Sequence, residues 1–267
     1  MKRVLFTIAI ITFAAIVACN NNPDSNANPP TAPEGAKLLS YEIGPSYPHD
    51  TSSFTEGLLI YKDHMYESTG IEGKSKLMEI DIATGKPKRS INLDPKYFGE
   101  GISIVRDTIY QLTYTTNDVL VYTLKDFKKI DKQFSIKTQG WGMTTDGKEL
   151  IATDGTSNLY YYNPTDFRLL RTQAVTEGGN LAFNLNELEY IDGFIYANQW
   201  QQPYIFKIDP SSGNIVGKLD LADVWNRVKA RDPHVDVPNG IAYDSTTKKI
   251  YITGKNWPEL FELKNIR

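Results

Sequence analysis

A set of four short strands recurs along this chain, and no other feature restricts the fold so strongly. Five segments open the repeats: Thr55-Glu56-Gly57-Leu58, Gly99-Glu100-Gly101-Ile102, Gly140-Trp141-Gly142-Met143, Asn186-Glu187-Leu188-Glu189 and Asn239-Gly240-Ile241-Ala242. Counted from Glu56, Glu100, Trp141, Glu187 and Asn239, the spacings are 44, 41, 46 and 52 residues. Each opening segment leads to a turn and a second strand rich in β-branched and aromatic residues, such as Ile109-Tyr110-Gln111-Leu112-Thr113 or Ile250-Tyr251-Ile252-Thr253-Gly254. A third strand follows, and in the first four repeats a fourth. Four strands per repeat at this period predict an all-β chain folded as a five-bladed β-propeller. The fifth repeat runs out at Arg267 after three strands, while an unassigned strand at about 37–43 precedes the first repeat. The two irregularities account for each other if the N-terminal strand joins the last blade and closes the ring, which also removes an open edge. One segment breaks the strand pattern: Leu221 to Ala230 places Leu221, Val224, Trp225 and Val228 at helical spacing.

The propeller is expected to span residues 36–267. Ahead of it, Lys2 and Arg3 precede an apolar run from Val4 to Ala18, as in a signal peptide covering residues 1–18. The run ends Ile16-Val17-Ala18-Cys19, which resembles a bacterial lipobox, and a thiol is what thioether attachment of a diacylglyceryl group requires. Cys19, the single cysteine of the chain, is therefore the expected lipidation site. Residues 19–35, rich in Asn and Pro without apolar periodicity, read as a lipidated, disordered tether. The expected location is the bacterial cell envelope, as a periplasmic or outer-membrane lipoprotein that meets the membrane only through its lipid.

In a propeller the first strand of each blade lines a central channel. The opening segments then bring Phe54, Glu56, Glu100, Trp141, Asn186, Glu187 and Asn239 to one mouth. The ends of the second strands add Glu67, Thr113, Tyr114, Asp154, Trp200 and Lys255. Carboxylates, amides, a lysine and two indoles around one opening form a pocket with convergent polar groups and apolar walls. Neighbouring carboxylates raise one another's pKa, which suits proton transfer. A formal charge of -3 carries no signature of nucleic-acid binding. One cysteine and three scattered histidines, His49, His64 and His234, offer no familiar zinc motif.

These residues sit in longer stretches: Pro48-His49-Asp50-Thr51-Ser52-Ser53-Phe54-Thr55-Glu56-Gly57-Leu58, Phe98-Gly99-Glu100-Gly101-Ile102, Gly140-Trp141-Gly142-Met143, Leu185-Asn186-Glu187-Leu188-Glu189, Ala197-Asn198-Gln199-Trp200 and Thr253-Gly254-Lys255-Asn256-Trp257-Pro258. In order and without large gaps over about residues 40–265, they resemble the plant and bacterial glutamine cyclotransferases. The resemblance implies a five-bladed propeller that converts N-terminal glutamine to pyroglutamate (5-oxoproline) with loss of ammonia. It implies a proton shuttle at Glu100. It also implies indole walls at Trp141 and Trp200, with Asn186 and Lys255 on a carbonyl oxygen; the strand register adds Phe54, Glu56, Glu67, Tyr114 and Glu187 to the expected substrate pocket. Glu67 and Glu187 would hold the α-ammonium or tune Glu100. Two positions depart from the family pattern: Glu56 stands where Gln is usual, and Tyr114 where Trp is frequent. The implied partner is a peptide or protein with N-terminal glutamine. No cofactor is implied for catalysis; a structural calcium is associated with plant members, with no ligands assignable here. A monomer is the default for a closed ring.

Two other functions fit the same architecture. One is a tethered propeller that binds peptides or glycans without catalysis. The other is a lactonase-type hydrolase, which would need a divalent metal held by residues such as Glu100, Asn186, Asn239 and Asp154, and which more often has six blades.

Overall fold

The computed structural model describes residues 35–267. The expectations for the signal segment, for Cys19 and for nearly all of the tether lie outside the described residues. Among the described residues no helix is long and apolar enough to cross a membrane.

The chain forms five antiparallel sheets around a channel. Blade one is Thr55–Tyr61, His64–Thr69, Lys76–Asp81 and Lys86–Asn92, in that order from the inside outward. Blade two is Gly99–Val105, Thr108–Thr113, Asp118–Thr123 and a two-residue outer strand, Phe134–Ser135. Blade three is Met143–Thr145, Leu150–Ala152, Asn158–Tyr162 and Leu169–Ala174. Blade four is Leu185–Ile191, Phe194–Gln199, Tyr204–Ile208 and Ile215–Asp220. Blade five is Pro238–Asp244, Lys249–Gly254 and Glu259–Lys264, with the N-terminal Glu42–Pro48 as its outer strand. The inner strands neighbour one another in cyclic order, the fifth packing against the first. The architecture is the five-bladed propeller that the repeat predicts.

The N-terminal strand differs from expectation in its limits. The segment paired with the last blade is Glu42–Pro48, with Glu42 opposite Lys264 and Pro48 opposite Glu259. Its register shifts between Ile43 and Ser46, where Pro45 has no N–H to give to a ladder. Lys37–Leu38 instead runs parallel to the outer strand of blade four, Lys37 opposite Gly217. Leu39 covers Gly217 so closely that a Cβ there would lie 2.7 Å from its side chain.

Apolar side chains of adjacent blades interlock. One cluster between blades four and five includes Leu219, Ile241, Ile252, Trp257 and Phe261, together with Val224 and Val228 of the helix Ala222–Arg231 and Leu221 just before it. The spacing read in the sequence thus buries the expected face of that helix. A two-stranded hairpin, Thr176–Glu177 with Asn180–Leu181, precedes blade four. The sequence signal for it is Gly178-Gly179, both at positive φ.

Polar groups also join the blades near the channel mouth. Ser68 of blade one donates its hydroxyl to the Glu100 carbonyl of blade two. Gly101 N–H donates to the Trp141 carbonyl at 2.7 Å. Thr153 of blade three donates to the Asn186 carbonyl at 2.8 Å. Gly240 N–H of blade five donates to Asn198 Oδ1 at 3.0 Å. Such close approach requires glycine at two positions. A Cβ on Gly142 would fall 2.1 Å from the Asn186 carbonyl oxygen, and one on Gly101 2.4 Å from the Met143 nitrogen.

Candidate active site

Each inner strand begins at the same mouth of the channel, so the opening segments of the repeats deliver their side chains to one place. Glu56 comes from blade one. Lys255, just past the second strand of blade five, places Nζ 2.6 Å from Glu56 Oε1. Asn239, on the inner strand of that blade, donates from Nδ2 to Glu56 Oε2 at 3.2 Å and to the Thr55 carbonyl at 2.9 Å. Glu56, Lys255 and Asn239 are all buried.

Glu100 of blade two is buried beside this group. Burial raises its pKa well above the ordinary carboxylate range, and the negative charge of Glu56 raises it further, against the pull of Lys255. Burial likewise pushes Glu56 up, to about 7, against the attraction of Lys255. The geometry assigns the proton. Both Glu56 oxygens accept from fixed donors, which favours its ionised form. Glu100 is then the carboxyl that burial and the charge of Glu56 favour in its protonated form.

Aromatic side chains wall the mouth. Lys255 Nζ sits 4.4 Å from the centre of the Phe54 ring. Phe54 meets Phe98 edge-on at 6.1 Å, and Phe98 meets Tyr114 at 5.8 Å. Trp141 and Trp200 cross at 5.4 Å and 79°, both half-buried. Asn186 is buried, and its Oδ1 has no hydrogen-bond partner. The Oδ1 of Asn239 is also buried and unpartnered. The mouth therefore combines two buried carboxyls, an ammonium, two amide acceptors and two indoles.

Two carboxylates expected in the pocket have other partners. Glu67 accepts from Thr55 Oγ1 at 2.7 Å and Ser53 Oγ at 3.3 Å and lies 3.1 Å from His49 Nε2. Glu187 accepts the Leu58 N–H of blade one at 3.1 Å on one oxygen and the Ile241 N–H of blade five at 2.8 Å on the other. It ties three inner strands together across the channel. Burial and the neighbouring Glu189 push its pKa up, and those two N–H groups pull it down. Asp154 caps its own turn through Thr156. Among the described residues no group of three or more His, Cys, Asp or Glu side chains is arranged to hold a metal ion.

The sequence pattern assigns no role to His49. The ring is buried, with Nδ1 2.8 Å from the Trp257 carbonyl and Nε2 on Glu67. Both ring nitrogens face acceptors, as an imidazolium requires. Burial lowers its pKa, but Glu67 overrides that and the net shift is upward. His49 thus bridges the loop before Phe54 to the segment after Lys255. A pKa raised on folding gives stability that is complete below about 6.5 and is lost as pH rises through the folded-state value. Wild type is accordingly expected to exceed His49→Gln in melting temperature most at pH 5–6, the gap narrowing towards pH 9. A constant gap in thermal melts across that range counts against the imidazolium.

Comparison with known proteins places this arrangement. A family model described as glutamine cyclotransferase matches residues 10–265. A glutaminyl-peptide cyclotransferase of Arabidopsis thaliana is 37% identical over 230 residues, covering 85% of this chain and 72% of the relative. The crystal structure of Myxococcus xanthus glutaminyl cyclase superposes with a TM-score of 0.80 at 29% identity, covering 88% of this chain and 99% of the other.

Proposed function

This chain belongs to the glutamine cyclotransferase family, and on that premise we propose how its channel mouth converts an N-terminal glutaminyl residue to pyroglutamate. The observation that most supports the reading is a buried Glu100, its pKa pushed well up by burial and by Glu56, beside a Glu56 that accepts from both Lys255 and Asn239. The reaction is intramolecular, so the site chiefly has to fold the glutamine side chain back on its own amine. Trp141 and Trp200 wall the side chain and limit its rotamers. The neutral α-amine attacks the γ-carbonyl carbon, and a C–N bond forms as the carbonyl oxygen gathers negative charge. Lys255 and the amide of Asn186 stabilise that charge. Glu100 takes a proton from the attacking nitrogen on one oxygen and gives its own to the leaving nitrogen from the other. The second C–N bond breaks and ammonia departs, leaving Glu100 protonated as at the start.

Glu56 and Lys255 neutralise each other, which favours a neutral amine over an ammonium in the mouth. Glu67 and Glu187 act as positioning groups for the strands that carry Glu56 and Asn239. No metal takes part in these steps. The enzyme acts on peptides or proteins as a monomer, the default for a closed ring, and is held at the cell envelope through Cys19, a reading that rests on the pattern of residues 1–35.

The test is ammonia release from a Gln-initiated peptide, with the cyclised product identified by its mass loss. Wild type is expected to turn over with and without EDTA. Absence of ammonia from several Gln-peptides between pH 6 and 9 sinks the catalytic reading in favour of a binding propeller. Loss of activity in EDTA favours the metal-dependent alternative.

A further inference from the structure

A protein that closes an N-terminal residue inside a channel mouth must leave the rest of the peptide on the rim. On one side that rim is apolar. The segment between blades three and four runs inward from the hairpin Thr176–Leu181 towards the tryptophan pair. Ala182 N–H bonds the Val175 carbonyl at 3.0 Å, Asn184 N–H the Gly155 carbonyl at 2.9 Å, and Trp200 N–H the Asn184 carbonyl at 2.8 Å. Gln199 Nε2 donates to the Phe183 carbonyl at 3.2 Å. The Trp141 ring packs on the same Gly155, where a Cβ would come within 2.6 Å of it. Phe183 thus lies one residue from the peptide group that anchors Trp200.

Side chains alternate along this extended segment. Ala182 points in and is buried, while Leu181 and Phe183 are 52% and 53% exposed. The one acidic residue of the hairpin, Glu177, is paired with Lys218 at 2.8 Å. An uncharged, exposed Leu and Phe thus stand on the segment whose next residue, Asn184, holds the backbone of Trp200.

We infer that Leu181 and Phe183 form a subsite for the residues that follow the N-terminal glutamine, and that it selects peptides with large apolar side chains there. The inference rests on the cyclotransferase reading, since only a chain-end site places the following residues on this rim. The occupant is the substrate itself, because Phe183 stands next to the residue whose carbonyl holds Trp200, a wall of the pocket that takes the first residue.

The test compares kcat/KM for Gln-Phe-Phe-amide and Gln-Ser-Ser-amide. Wild type is expected to prefer the first by about 10-fold, the effect of burying one to two apolar side chains partially. In the double variant Leu181→Ala/Phe183→Ala the ratio is expected to fall to about 2-fold or less. Phe183→Lys is expected to turn the preference towards Gln-Glu-Glu-amide, a gain that a misfolded protein cannot show. A wild-type ratio near one, or a ratio that survives the double variant, overturns the subsite alone. Failure of wild type to release ammonia from any of the three peptides overturns the cyclotransferase reading, and the subsite with it.

Discussion

Glu100→Gln is expected to lower kcat for ammonia release about 1,000-fold while leaving KM within a few-fold of wild type. Glutamine fills the volume of glutamate and can still donate to Glu56, so the pocket keeps its shape. The contact from Ser68 is made to the Glu100 main-chain carbonyl and is untouched. What is lost is a group that can accept one proton and release another. The pH profile gives a second readout. A free α-amino group titrates near pH 8, so the wild-type rate climbs as the substrate amine loses its proton. It falls again at higher pH as Glu100, whose pKa burial and Glu56 hold well above the ordinary range, finally ionises. The residual rate of Glu100→Gln should retain the rise and lose the fall. A variant with kcat within 10-fold of wild type would remove Glu100 from the reaction.

The parts of this arrangement that sequence alone revealed are those set by local pattern. The blade repeat was visible because each unit reuses the same alternation and turn chemistry, so errors in one blade are corrected by the other four. Glu56, Glu100, Trp141 and Asn186 were legible as a group because each stands at the start of an inner strand. The N-terminal strand was misplaced by several residues, since the irregularity at Gly44-Pro45 hides its period and Leu39 finds its partner at Gly217 in another blade. Glu67 and Glu187 show the deeper limit. A carboxylate in a β-strand looks the same whether its oxygens face a substrate or backbone N–H groups. Those that Glu187 meets belong to Leu58 and Ile241, 129 and 54 residues away. His49 escaped for the same reason: its partners, Glu67 and the Trp257 carbonyl, come from two different blades.

Lys255→Met is expected to be the most destabilising single change in the mouth. The ammonium is 5% exposed and lies 2.6 Å from a carboxylate that is 2% exposed. Methionine keeps the length of the side chain and removes its charge, leaving Glu56 buried without its cation and next to a second carboxyl, so that it must take up a proton or stay ionised and unpaired. Breaking a buried pair in this way costs about 3–5 kcal/mol, or roughly 10 °C in melting temperature for a domain of this size. The loss depends on pH in a defined direction. Burial raises the folded-state pKa of Glu56 above its unfolded value of about 4.5, and removing Lys255 raises it further. Such a group destabilises nothing while it is protonated in both states, below about pH 4.5. Stability then falls as pH rises through the interval up to the folded-state value. The difference between Lys255→Met and wild type should therefore be small near pH 4 and open as pH increases through 7. Adding Glu56→Gln to Lys255→Met removes the uncompensated charge, and the double variant should recover most of the lost melting temperature at pH 8. Its activity should stay low, because the oxyanion still lacks its cation. Recovery of stability without activity separates the two roles of Lys255. If the double variant melts no higher than Lys255→Met, the Glu56–Lys255 pair is not what holds the mouth together.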